Sequence, residues 1–152
     1  MTATRAPEVL DWLLDTLPPV LAEIERPPGW EVTVTEGWDI ETVQSDTVVI
    51  GGWTSEKNEA QHGARYRTET LTFDMFIVVI RQGATNTEVR ELALGIHEAI
   101  SARMRQNPSG LTIGGAVCRA QYGANDTFQY GLTDRGRSCL LQTELTAYEA
   151  RL

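Results

Sequence analysis

The chain has 152 residues, of which 41% are hydrophobic and 22% are charged, a composition typical of one globular domain and unlike that of a disordered chain. The formal net charge of −8 disfavours tight binding to nucleic acid, because an acidic surface repels phosphate, although an acidic wall would let DNA slide past it. No apolar run is long enough to span a membrane and the N-terminus lacks a signal-peptide pattern, so we expect a protein made in the cytoplasm without membrane contact.

The first predicted element is an amphipathic helix that starts near Pro7, a residue suited to the first turn because no N–H is needed there. Its apolar stripe consists of Val9, Leu10, Leu13, Leu14 and Leu17. Pro18 and Pro19 should break or kink the helix and leave residues 20–24 as a short second piece. A turn is predicted at residues 26–29, where proline and glycine occupy the central positions.

Two short strands are predicted next. Residues 30–35 alternate between apolar and polar side chains, which is typical of a half-buried strand, and residues 36–46 are expected to form a loop. A β-branched strand at 47–50 should end at Gly51-Gly52-Trp53. The polar residues 55–64 are then expected to form an exposed hairpin loop.

The longest strand pattern covers residues 65–80. One face is apolar throughout, and the other turns apolar in the second half, which predicts a strand that becomes covered on both faces. The continuously apolar face consists of Leu71, Phe73, Met75, Ile77 and Val79.

The clearest helix covers about residues 86–106 and opens with the capping-box pattern of Thr85 and Glu88. Gly95 lies inside it, where glycine costs roughly 1 kcal/mol relative to alanine, so close packing against a neighbour is expected. The helix should end at residues 107–110. Its buried face is predicted to consist of Val89, Leu92, Ala93, Ile96, Ile100 and Met104.

The C-terminal part of the chain is predicted to contain two more strands. Residues 111–117 should form one strand with a bulge at Gly114-Gly115. A long polar and aromatic loop, 121–136, should lead to the last strand at 137–148, whose apolar face includes Cys139.

The order of these elements indicates an α+β fold in a single domain, 1–152. Helices and strands do not alternate regularly, so a doubly wound parallel sheet is not expected. We predict a largely antiparallel, twisted sheet of about five strands that packs against an N-terminal helix and one long central helix.

No motif for catalysis, metal binding or phosphate binding is present, so we expect neither an enzyme nor a cofactor. The lone His97 at the edge of the second helix is predicted to be a packing residue rather than a ligand. Cys118 and Cys139 are expected to remain unpaired, because they fall on opposite strand faces and the cytoplasm is reducing.

Aromatic and arginine side chains in the predicted loops are the unusual feature that remains, because both types are enriched at protein interfaces. These rings could equally fold back onto their own domain, and the sequence leaves both alternatives open. The candidate interface residues are Trp53, His62, Arg65, Tyr122, Phe128, Tyr130, Arg135 and Arg137.

The organisation resembles the tail terminator (tail-completion) proteins of long-tailed bacteriophages. The features that carry the resemblance are the helix start Glu-Val-Leu-Asp-Trp-Leu-Leu at 8–14, the strand at 71–79 and the helix segment Ala-Leu-Gly-Ile-His-Glu-Ala-Ile at 93–100. The resemblance covers nearly the whole chain and rests on length, element order and the general pattern of residue types.

The resemblance implies a non-enzymatic virion protein at the neck end of the tail. Such proteins form a hexameric ring on the major tail tube protein and contact a head–tail connector or stopper, while DNA passes through the lumen without specific binding. On this basis, the segments 54–64 and 121–136 are expected to contact neighbouring subunits or the tube.

Two alternatives remain open. Another neck component, either a connector or a stopper, would have the same general pattern of residue types. A small-ligand-binding or enzymatic α+β domain would instead require a pocket between sheet and helix, near His97 and Trp38.

Overall fold

A computed structural model describes residues 4–26, 31–38, 46–58, 67–106, 112–113, 116–117 and 119–152. It contains two long helices and seven strands within these ranges. In chain order they are α1 Ala6–Ala22, β1 Thr33–Glu36, β2 Thr47–Asn58, β3 Thr68–Arg81, α2 Asn86–Arg105, β4 Thr112–Ile113, β5 Ala116–Val117, β6 Arg119–Thr133 and β7 Gly136–Arg151.

Five of these strands form one sheet in the order β1-β2-β3-β7-β6. Only the β1–β2 pair is parallel; the three other pairs are antiparallel. The central β3–β7 pair runs from Thr68 opposite Arg151 to Arg81 opposite Arg137. The predicted α+β class, with a largely antiparallel sheet packed against two helices, is therefore confirmed.

The main core lies between the two helices and one face of the sheet. The face of β3 that was predicted to be apolar is fully buried and joins the buried faces of α1 and α2 in one cluster. At the end of β3, Val78 and Ile80 on the opposite face are buried as well, so the predicted change to coverage on both faces is confirmed. Nearby on that face, the Trp38 ring lies 5.0 Å from the Phe76 ring.

Helix α1 continues through both prolines, so the predicted break is wrong. Pro18 and Pro19 lie inside the helix, which ends at Ala22. Leu17 and Leu21, on either side of the prolines, are both buried in the core. Each buried leucine gains roughly 1.5–3 kcal/mol, which offsets the loss of two helical N–H donors.

Helix α2 matches its predicted bounds and buried face closely. The Glu88 N–H donates to Thr85 Oγ1 at 3.2 Å, which is the predicted N-terminal cap. The explanation offered for Gly95 is wrong, because a Cβ atom at this exposed position would meet nothing within 4 Å. Packing inside the chain therefore does not require this glycine.

Two of the predicted loops are strands instead. β2 does not stop at residue 50; a bulge between Ile50 and Trp53 carries it on to Asn58. The segment predicted as a loop at 121–136 is mostly β6, which pairs with β7 and contains two irregularities between Tyr122 and Thr127. Most of both stretches is exposed on both faces, and their glycine and polar residues favour a loop.

Residues 111–117 were predicted to form one strand, and here too the structure differs. Thr112 pairs with Val117 and Ile113 with Ala116, so β4 and β5 form a separate two-stranded sheet. The bulge predicted at Gly114-Gly115 lies outside the described residues.

Asp46 ties the ends of four elements together. This fully buried carboxylate accepts from Arg26 Nε at 3.0 Å and from both terminal nitrogens of Arg81, at 2.8 and 2.6 Å. Arg26 also donates to the Leu92 carbonyl of α2 at 3.4 Å. The cluster thus links the chain after α1, the start of β2, the end of β3 and α2.

Glu69 fixes the opposite end of the sheet. This buried carboxylate accepts from the Thr4 hydroxyl, the Arg5 N–H and the Ser55 hydroxyl. The entry to α1 is therefore attached to β2 and β3.

Candidate interaction surface

Apart from the contacts of the two buried carboxylates, a group of hydrogen-bonded side chains around His97 joins α2 to the part of β6 where its pairing with β7 is irregular. His97 Nδ1 lies 2.8 Å from the Tyr122 hydroxyl, and His97 Nε2 lies 3.1 Å from Asp126 Oδ2. Thr143 of β7 donates its hydroxyl to the other oxygen of Asp126 at 2.6 Å. These contacts fix β6 to the helix at the point where its pairing with β7 is irregular.

A carboxylate only accepts, so His97 Nε2–H donates to Asp126. In the tautomer with its proton on Nε2 alone, Nδ1 accepts from the Tyr122 hydroxyl. Burial, with a smaller contribution from the charge of Asp126, raises the pKa of the Tyr122 hydroxyl above its ordinary value. A tyrosine that acted as a nucleophile or base would need the opposite shift, so the Tyr122 hydroxyl serves here as a hydrogen-bond partner of His97.

A pocket near both His97 and Trp38 was expected for a ligand-binding domain, but these two residues do not lie together. Trp38 packs on Phe76 of β3, whereas His97 faces Tyr122 of β6. A shallow cavity of about 460 Å³ lies elsewhere, between Ile24 after α1 and the C-terminal half of α2. Within the described ranges, no group of three His, Cys, Asp or Glu side chains is arranged to hold a metal ion.

The most exposed apolar feature of the described chain lies on β6. Phe128, Tyr130 and Leu132 alternate along the strand and are 37%, 44% and 75% exposed. Phe128 and Tyr130 stand opposite Leu141 and Cys139 of β7, so they share the face of the sheet on which the core lies. We call residues Thr127–Thr133 the β6 strip.

A second exposed aromatic lies at the diagonally opposite corner of the sheet. Trp53 is 42% exposed on β2, just beyond the point where the pairing with β1 ends at Ile50. From there to Asn58, β2 has no partner on its outer side among the described strands. Among the described strands, the exposed aromatic side chains therefore lie on two different unpaired edges of the sheet, the outer half of β2 and the β6 strip.

The other predicted interface residues have different positions. Tyr122 packs against the core and bonds to His97, so it is removed from the candidate surface. Arg135 is exposed in the turn between β6 and β7, while Arg137 is half-buried and donates to Asn86 at 3.3 Å. His62 and Arg65 lie outside the described residues.

Sequence reasoning missed Leu132, the most exposed large apolar side chain of the described residues. The spacing of Phe128, Tyr130 and Leu132 at every second position was the available signal. It was hidden because glycine, asparagine and aspartate nearby favour a loop.

Comparison with known proteins gives no assignment: no family model matches the sequence, and no curated protein is significantly similar to it. None of the described helices is long and apolar enough to cross a membrane.

Proposed function

We propose that the chain is a structural, non-enzymatic subunit of a phage neck, and specifically a tail terminator whose ring caps the tail tube and joins it to the head. The observation that carries this proposal is the pair of different exposed edges, one at Trp53 and one at the β6 strip. A closed ring requires a head-to-tail interface in which two different surfaces of each subunit meet.

The charge of the chain fits this role. Six copies would carry a formal charge of −48, six times the −8 of one chain. An acidic lumen repels the DNA backbone, which favours passage over binding.

The polar chemistry also favours a structural role over an enzymatic one. The carboxylates of Asp46 and Glu69 and the imidazole of His97 all have partners within the chain. Among the described residues, four of the five large exposed apolar side chains lie on the two sheet edges, which is typical of contact surfaces, and the fifth, Trp38, packs on Phe76.

A mixing experiment tests the head-to-tail ring. The variants Trp53→Asp and Tyr130→Asp each spoil one of the two edges, so each protein alone should fail to form rings. Mixed together, they retain one intact interface, between the unaltered strip of one and the unaltered β2 edge of the other, and should form a heterodimer. Glu98→Ser, a change at an exposed position of α2, serves as the control that still assembles.

Ring formation and partner choice need separate readouts. Electron microscopy of the purified chain mixed with tail tubes of the same phage should reveal six-subunit rings at the tube ends. Light scattering of the chain without tubes gives its size before assembly. Binding to DNA-filled heads but not to tubes would instead assign the chain to the connector or stopper class. Failure of the mixed variants to associate would contradict the head-to-tail arrangement.

A further inference from the structure

The β6 strip has nearly the same pattern in both directions. Tyr130 lies at its centre, apolar Phe128 and Leu132 lie two residues to either side, and Thr127 and Thr133 form the ends. The intervening Gln129 and Gly131 are uncharged. Two such strips placed antiparallel would therefore set Tyr against Tyr, apolar Phe against apolar Leu and Thr against Thr, with Gln129 opposite the uncharged Gly131.

Within the part of the chain that the structure describes, the strip is also an unpaired sheet edge. β6 pairs with β7 on one side and is the outermost strand of its sheet, so alternate backbone N–H and C=O groups point away from β7. Natural edge strands are commonly protected by lysine, proline or an inward charge. The seven residues from Thr127 to Thr133 contain none of these, in a chain whose net charge is −8.

We propose that the strip binds the same strip of a second copy of this chain. The two β6 strands pair antiparallel with Tyr130 opposite Tyr130 and Phe128 opposite Leu132, which joins two five-stranded sheets into one of ten strands. Cross-strand aromatic and aliphatic pairs stabilise such an edge contact. A second copy is the fitting occupant because the strip complements itself and its seven residues carry no charge; like charges meet only beyond its ends, where Asp126 of one copy lies opposite Asp134 of the other.

This two-fold pair is distinct from the ring. It needs no other component, and it occupies one of the two edges that the ring uses. If the proposed ring function is correct, the pair is the form of the chain away from the tail, and it must open before rings close.

Cysteine cross-linking tests the pair, because only a two-fold contact brings identical residues together. In the antiparallel register, two copies of residue 130 face each other at about 5.5 Å between Cα atoms, within the range that a disulfide spans. Tyr130→Cys, made together with Cys118→Ser, should form covalent dimers under mild copper-catalysed oxidation. Cys139 is replaced by alanine in the same proteins, because it stands directly opposite residue 130 on β7 and the two thiols of one chain could form a disulfide with each other.

Leu132→Cys is the matched control. It is more exposed than residue 130, but the register separates its two copies by four residues along the strands, so it should cross-link about tenfold more slowly. Equal rates at both positions would indicate random collision and overturn the proposal.

Light scattering gives an independent readout. The unaltered chain should be a dimer at tens of micromolar, Tyr130→Lys should be a monomer, and Trp53→Lys should remain a dimer. A monomeric unaltered chain would overturn the pair. Six-subunit rings that form without cross-linking at residue 130 would also overturn the two-fold pair, but they would support the ring. A cross-linked dimer, together with edge variants that do not associate when mixed, would support the pair and contradict the ring.

Discussion

Replacing Asp46 by Asn keeps the shape of the side chain and removes its charge. Asn also tolerates the positive φ of 59° at this position, so the substitution should add no backbone strain. The change leaves two guanidinium groups facing a neutral amide, with the side chains of Arg26 and Arg81 only 8% and 14% exposed.

The expected loss is about 3–5 kcal/mol, the usual cost of removing one partner from a buried ion pair. Domains of this kind are stable by roughly 5–15 kcal/mol, so the variant should lose a large part of its free energy of unfolding. The loss should change little between low and high salt, because buried charges are screened poorly.

Urea unfolding followed by tryptophan fluorescence measures this loss. Glu91→Gln is the control, since its pair with Arg90 is exposed and should contribute at most about 1 kcal/mol. If Asp46→Asn costs no more than this control, the idea that the cluster joins four elements is refuted.

Three further predictions concern single positions. Above about pH 10 an unfolded tyrosine loses its proton while folded Tyr122 keeps it, so stability should fall by roughly 1.4 kcal/mol per pH unit. Tyr122→Phe should remove this slope and cost about 1–3 kcal/mol at neutral pH, because His97 loses a donor; urea curves at pH 8 and 11 check both effects. Gly95→Ala should raise stability by about 0.5–1 kcal/mol, and unchanged thermal unfolding would contradict the open space seen there. Gly136→Ala should lower the melting temperature by several degrees, since its φ is +122° and a Cβ would clash with the Arg81 carbonyl oxygen; an unshifted melting curve would count against this contact.

The elements that were predicted well are those that bury one face. The apolar positions of α2 and β3 recur with the period of a helix and of a strand, because each presents one face to the core. The outer half of β2 and most of β6 were missed for the complementary reason. Both are largely exposed on two faces and take their stability from pairing with β3 and β7, so apart from Phe128, Tyr130 and Leu132 they show little of the apolar alternation that burial imposes.

The candidate site was predicted only in part. Trp53, Phe128 and Tyr130 were selected by residue type and prove to be exposed on sheet edges, but Tyr122 of the same segment is turned inward by His97. The irregular pairing between Tyr122 and Thr127 decides which rings point outward. It depends on contacts between α2, β6 and β7, which local sequence patterns do not contain.

The position of β7 has a consequence for synthesis. A ribosome releases this strand after every other described element, yet it occupies the middle of the sheet, between β3 and β6. Until it emerges, one side of β3 is open and β6 has no neighbour among the described strands. A premature stop at Gly136 would therefore remove one strand from the sequence but leave two strands out of the sheet. Nascent chains would expose the apolar β3 to chaperones until β7 has emerged from the ribosome.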